Sequence, residues 1–132
     1  MWKYLQIHKS KLQKSLIIGD FNSNVFWDKK HRWWNHSDVV RELREIGIES
    51  LYHKYWLEEQ GKETRPTLFL QKNLKKPYHI DYVFGSSGFQ NGLIKMEIGN
   101  MNQWLGISDH LPIICEFDEE KITRANRVAN PY

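Results

Sequence analysis

Three apolar runs of strand length in this chain are each entered or interrupted by side chains that are costly to bury. They are Leu16-Ile17-Ile18-Gly19-Asp20, Ile80-Asp81-Tyr82-Val83-Phe84 and Asp109-His110-Leu111-Pro112-Ile113. A carboxylate or imidazole inside a strand must find a partner or sit at a strand end reached by solvent. Convergence of Asp20, Asn22, Asp109 and His110 at one strand-end site satisfies that demand better than their use as core filling. The constraint is therefore on topology first and on chemistry second.

Around these runs the chain reads as alternating helices and strands. Trp2, Leu5 and Leu12 share one side of a 3.6-residue wheel, predicting an amphipathic first helix. The strand Leu16-Ile17-Ile18 follows, with Gly19 as its stop. A second helix is expected from a Ser37 cap and Asp38 in the first turn, with Val39, Val40, Leu43 and Ile46 as its apolar face and Gly47 as its end. The stretch from Ile48 to Tyr55 fits strand and helix equally, and 58–63 reads as a solvated loop. Strands are expected at 67–70, 79–84, 93–98 and 113–117. Lys76-Pro77, Gly85-Ser86-Ser87-Gly88 and Asn91-Gly92 separate them. One domain over 1–122 and a frayed tail over 123–132 complete the layout.

Bulk composition narrows the class. A chain of 132 residues with 40% apolar and 27% charged residues suits one modest folded domain, and a net charge of +3 tolerates polyanionic partners without demanding them. The single cysteine, Cys115, excludes an internal disulfide and fits a reducing compartment. The N-terminal segment lacks a signal-peptide core, and no run approaches the roughly 20 apolar residues of a membrane span. The expectation is a cytoplasmic protein.

The polar residues suit phosphoester chemistry. Hydrolysis requires an oriented or deprotonated water, neutralised phosphoryl oxygens and a stabilised leaving group. Asp20 and Asn22, two apart in an extended segment, share a face and offer a carboxylate beside an amide. Asp109 and His110 are adjacent, so a bend at the strand entrance is needed to bring both to one place. Asp81 is the candidate partner for the His110 imidazole. The other histidines, His31, His36, His53 and His79, show no zinc spacing and read as surface or hydrogen-bonding residues.

In this order Gly19-Asp20-Phe21-Asn22, Ile80-Asp81-Tyr82 and Ser108-Asp109-His110-Leu111-Pro112 resemble the endonuclease/exonuclease/phosphatase superfamily, with its exonuclease III, apurinic endonuclease and deoxyribonuclease I-like enzymes. The resemblance extends from the first helix to about Phe117. It implies an α+β fold that is the C-terminal half of a four-layer αββα sandwich, mainly one mixed or antiparallel sheet with helices on one face. It also implies that Asp20 and Asn22 orient water and hold phosphate, that Asp109 with Asp20 contributes to a Mg²⁺ or Mn²⁺ site, and that His110, paired with Asp81, binds the scissile phosphate. The principal metal-binding glutamate of that family belongs to an upstream half for which this sequence has no counterpart. A weakly held metal and impaired activity are expected of this chain alone, and an apolar sheet face is expected to pack against that half or a second copy.

Substrate is the least constrained part. Trp27, Trp33, Trp34, Trp56 and Trp104, with Lys29, Lys30 and Arg32 interleaved near the first loop, are candidates for stacking on bases and meeting phosphates, and Asn24 and Trp104 for lining a substrate cleft. A nuclease-like phosphodiesterase is the leading expectation, with nucleic acid as partner. A phosphatase or phospholipase of the same superfamily and a catalytically silent nucleic-acid-binding or interaction domain are the alternatives.

Overall fold

A computed structural model describes the backbone of residues 1–128 and the side chains through residue 125. The first element, α1 (Trp2–His8), buries Leu5 completely, with Trp2 and Leu12 packed beside it. Lys9, in the following 3-10 turn, pairs with Glu42 and Glu45 and ties this segment to the second helix. β1 (Leu16–Asp20) then runs on through Gly19, where the sequence reading had it stop. Glycine permits the φ of +146° found there, so the strand stays paired long enough to deliver Asp20 into the sheet.

α2 (His36–Glu45) buries Val39, Val40 and Leu43 and ends at Gly47, whose φ of +75° suits glycine. Its cap is Asn35, not Ser37. The Asn35 N–H donates to Asp38 at 2.9 Å, and the Asp28 carboxylate accepts from the N–H groups of His36 and Ser37 at 2.8 and 3.1 Å. A carboxylate from outside the helix thus supplies what a local serine was expected to supply. The ambiguous stretch resolves into both possibilities, β2 (Glu49–Ser50) followed by α3 (Leu51–Trp56).

The remaining elements are β3 (Leu68–Phe69), β4 (Pro77–Tyr78), β5 (Asp81–Gly85), α4 (Ser87–Gly92), β6 (Leu93–Ile98), α5 (Met101–Trp104), β7 (Ile113–Phe117) and α6 (Glu119–Val128). The expected separators fall within elements: Pro77 opens β4, Gly85 ends β5, and Ser87-Gly88 and Asn91-Gly92 begin and end α4. Gly92, at the end of α4, serves close packing. A Cβ on Gly92 would come within 2.5 Å of Ile122 on α6. α6 carries helix through 123–128, past the boundary expected at 122, and the rest of the expected tail lies outside the described residues.

The strands are antiparallel and form three small sheets, ordered β1-β5-β2, β3-β4 and β6-β7. The chain is thus a mixed α+β fold of antiparallel sheets and helices. β5 lies at its centre, and its alternation explains its continuous apolar character. Tyr82 and Phe84 face the cluster of Leu5, Val39, Val40, Leu43 and Ile48, while Val83 faces Leu51, Tyr52 and Met96. Cys115 is half-buried beside the second cluster, where burial pushes its thiol up. Among the described residues no helix is long and apolar enough to cross a membrane.

The loop 58–63 is less solvated than its composition predicts. The Glu63 side chain is 4% exposed and accepts from His53 Nε2 at 3.0 Å, the Gly61 N–H at 3.0 Å and Asn24 Nδ2 at 3.1 Å. Burial alone would raise its carboxyl, but these donors outweigh it and hold the group at about 2.

Candidate active site

Antiparallel pairing sets the site. The register of β1 on β5 runs from Leu16 opposite Gly85 to Asp20 opposite Asp81, so two carboxylates face each other at the open end of the sheet. Like charges placed directly opposite repel, and a polar partner beside them eases the contact. His110 stands there: its Nδ1 lies 3.0 and 3.2 Å from the two oxygens of Asp81. One ligand atom from each of Asp20, Asp81 and His110 lies within 4.8 Å of the others.

Each side chain is held by its neighbours. Asn22, at a φ of +48°, donates from its backbone N–H to Asp20 Oδ1 at 2.7 Å and from Nδ2 to Oδ2 at 2.8 Å. One N–H of the amide expected to grip phosphate is engaged in orienting Asp20. The His110 N–H donates to Ser108 Oγ at 3.0 Å, and His110 bridges to Leu68 of β3. Its Nδ1 is engaged by Asp81, which leaves Nε2 as the nitrogen able to meet a ligand.

Thr67, which the sequence reading did not single out, joins these parts. It is 0% exposed, and its Oγ1 accepts from the N–H groups of Ile80 and Asp81, both at 3.1 Å. Its backbone N–H donates to Tyr78 O, and its carbonyl accepts from Leu111 N–H at 2.7 Å. One residue thereby fixes the entry of β5, which carries Asp81, and the segment that carries His110. The available signal was a hydroxyl between Pro66 and the apolar run Leu68-Phe69.

The three residues open onto a cleft of about 590 Å³, walled by Ile18, Val83, Trp104, Pro112 and Ile113. Trp104 forms part of the wall of this cleft. Gly99 supports that wall, because a Cβ there would meet Pro112 at 2.6 Å and Trp104 at 2.8 Å. Asp109 points elsewhere: its Oδ2 accepts from the Gln71 N–H at 3.2 Å, and its carbonyl accepts from Phe69. Asp109 sits at a bend, from which its carboxylate turns to the Gln71 loop while the His110 ring turns to Asp81. Asn24 also turns away from the cleft. It is buried, with Nδ2 on Glu63, His79 O and Tyr82 OH and Oδ1 accepting from the Phe26 N–H.

Two carboxylates and an imidazole form a donor set suited to a small divalent cation. The carboxylates match Mg²⁺, and the added nitrogen is better tolerated by Mn²⁺. The set fits such an ion, and with only two carboxylates it would hold one loosely.

No protein-family model matches this chain. A search of curated proteins by sequence also finds no match. Among solved structures, the chain is similar to a 3′ phosphatase, NExo from Neisseria, bound to a product DNA hairpin. The TM-score is 0.61 at 17% sequence identity, over 88% of this chain and 49% of that one. The likeness is one of fold. This chain spans about half the length of that neighbour.

Proposed function

We propose that the chain carries part of a divalent-metal-dependent phosphoester hydrolase acting on nucleic acid, most simply a nuclease-like phosphodiesterase. The observation that carries this reading is the convergence of Asp20, Asp81 and His110 from three distant segments at one cleft. Asp20, fixed by Asn22, orients a water for in-line attack and accepts its proton. His110, steered by Asp81, donates from Nε2 to a phosphoryl oxygen as charge develops there. A bound Mg²⁺ or Mn²⁺, held by Asp20 and Asp81, would supply Lewis-acid stabilisation of the phosphoryl oxygens. Asp109 contributes through its hold on the Gln71 loop.

A phosphomonoester at a nucleic-acid 3′ end is the second reading, supported by the activity named for the fold neighbour. Completion of the site by the other half of a two-sheet sandwich belongs to the same proposal, whereas a second copy would cover the same face without completing the site. Ile18, Ile94 and Ile114 are exposed strand residues available for such packing.

The test is hydrolysis of bis(p-nitrophenyl) phosphate and p-nitrophenyl phosphate by the purified chain in Mg²⁺ or Mn²⁺. Slow, chelator-sensitive turnover lost in Asp81→Asn and His110→Ala is expected, and preference for the diester supports the first reading. Turnover that survives chelation, or that both variants retain, would contradict the proposal.

A further inference from the structure

A second cleft, on the other side of the Asp20-Phe21-Asn22 loop, is floored by Phe21. It encloses about 820 Å³ between α1 and the loop preceding α2, with Trp2, Ile7, Trp33, Trp34 and Val39 among its walls. Asp20 lines the first cleft and Phe21 the second, so one loop borders both. Trp33 meets Trp2 edge-on at 6.3 Å and Trp34 edge-on at 5.3 Å, and the Arg32 guanidinium lies 5.8 Å from the Trp34 ring. Trp33 is nevertheless 69% exposed and Trp34 52%. Indoles are among the side chains that gain most from burial, and two adjacent ones left in water are an unsatisfied surface.

Two observations say what covers it. The loop carrying the indoles is preorganised: Asn35 Nδ2 donates to the carbonyls of Lys29 and Arg32 at 3.0 and 2.8 Å, and Asn35 Oδ1 accepts from the Lys29 N–H at 3.0 Å. Charge is also segregated toward this side of the sequence. Residues 1–35 hold seven of the nineteen lysines and arginines but two of the sixteen acidic residues, and Lys3 lines the cleft itself. One of those two, Asp28, is occupied at the α2 N-terminus. Aromatic faces beside Lys3 and the Arg32 guanidinium match bases joined by phosphates. In a duplex those base faces are covered by stacking, so the occupant is single-stranded.

We infer that the Trp33–Trp34 cleft is a base-stacking site for single-stranded nucleic acid. The inference rests on the proposed phosphoester function in one respect: the strand that stacks here continues past Phe21 toward the Asp20, Asp81 and His110 cleft. The site deepens that reading by naming an unpaired, base-bearing strand as substrate.

The experiment is a binding titration in chelator, so that no hydrolysis intrudes, using labelled oligothymidylate and an abasic oligomer of equal length and charge. The wild-type chain is expected to prefer the base-bearing oligomer, with Trp33→Ala or Trp34→Ala weakening that binding about tenfold. Both variants are expected to leave abasic binding unchanged. Trp33→Phe and Trp34→Phe, which keep a ring, are expected to restore most of the affinity, and circular dichroism checks that each variant folds. Equal affinity for the two oligomers overturns the site, as does undiminished oligothymidylate binding by the alanine variants. Base-dependent binding by a chain that shows no metal-dependent hydrolysis would remove the hydrolase reading and leave this site standing.

Discussion

Asp20 and Asp81 are direct cross-strand partners, brought together by the β1–β5 register, with His110 Nδ1 3.0 Å from Asp81 Oδ2. An acidic pair in this arrangement costs the apo-protein about 0.2–1 kcal/mol. Asp20→Asn is therefore expected to leave thermal stability unchanged or slightly raised without metal, and to remove the stabilisation that Mn²⁺ gives the wild-type protein. Thermal denaturation with and without Mn²⁺ checks both halves of the prediction.

On the proposed reading His110 works from Nε2 while Asp81 holds Nδ1, so two different failures are expected. His110→Ala should lower turnover by about 10²–10⁴-fold, the range typical of a lost proton donor. Asp81→Asn should reduce turnover while also disturbing the ring orientation, visible as a shift in the His110 imidazole resonances. Side-chain nuclear magnetic resonance of both variants separates the effects.

Thr67→Val keeps volume while deleting the acceptor for the Ile80 and Asp81 N–H groups. Leaving two buried donors unmet is expected to cost about 1–3 kcal/mol or more. Denaturant unfolding measures the loss, and reduced metal affinity would show that Asp81 has moved with its backbone.

Acid is expected to unfold the protein in two steps. Burial holds the His36 and His79 imidazoles below their ordinary 6.5, so the stability tied to their neutral forms is present above that pH and falls away below it. Glu63, held at about 2 against an ordinary 4.5, contributes on the order of 3 kcal/mol, lost as pH falls from about 4.5 to 2. Glu63→Gln should lower stability at neutral pH and flatten the second step alone. An unchanged acid limb in that variant would contradict this assignment.

The strands were legible because Ile17, Tyr82 and Phe84 sit in short apolar runs bounded by breakers, and the conflict between those runs and Asp20, Asp81 and His110 marked the cleft. Less legible was anything depending on a distant contact. Asn35 and Asp28 cap α2 where Ser37 looked sufficient, because the loop between them folds back on the helix start. Gly92 looked like a turn residue, yet its missing side chain serves α6 packing. Glu63 looked solvated because its partners, Asn24 and His53, lie 39 and 10 residues away. Asp109 and His110 part at a bend because their partners, Gln71 and Asp81, lie in distant segments that the sequence does not place.

The central claim is that Asp20, Asp81 and His110 form one cation-dependent phosphoester site, and calorimetric titration with Mn²⁺ tests it most directly. The account predicts one weak site on the wild-type chain, lost in Asp81→Asn and in Asp20→Asn. Equal Mn²⁺ binding by the wild type and both variants would contradict it.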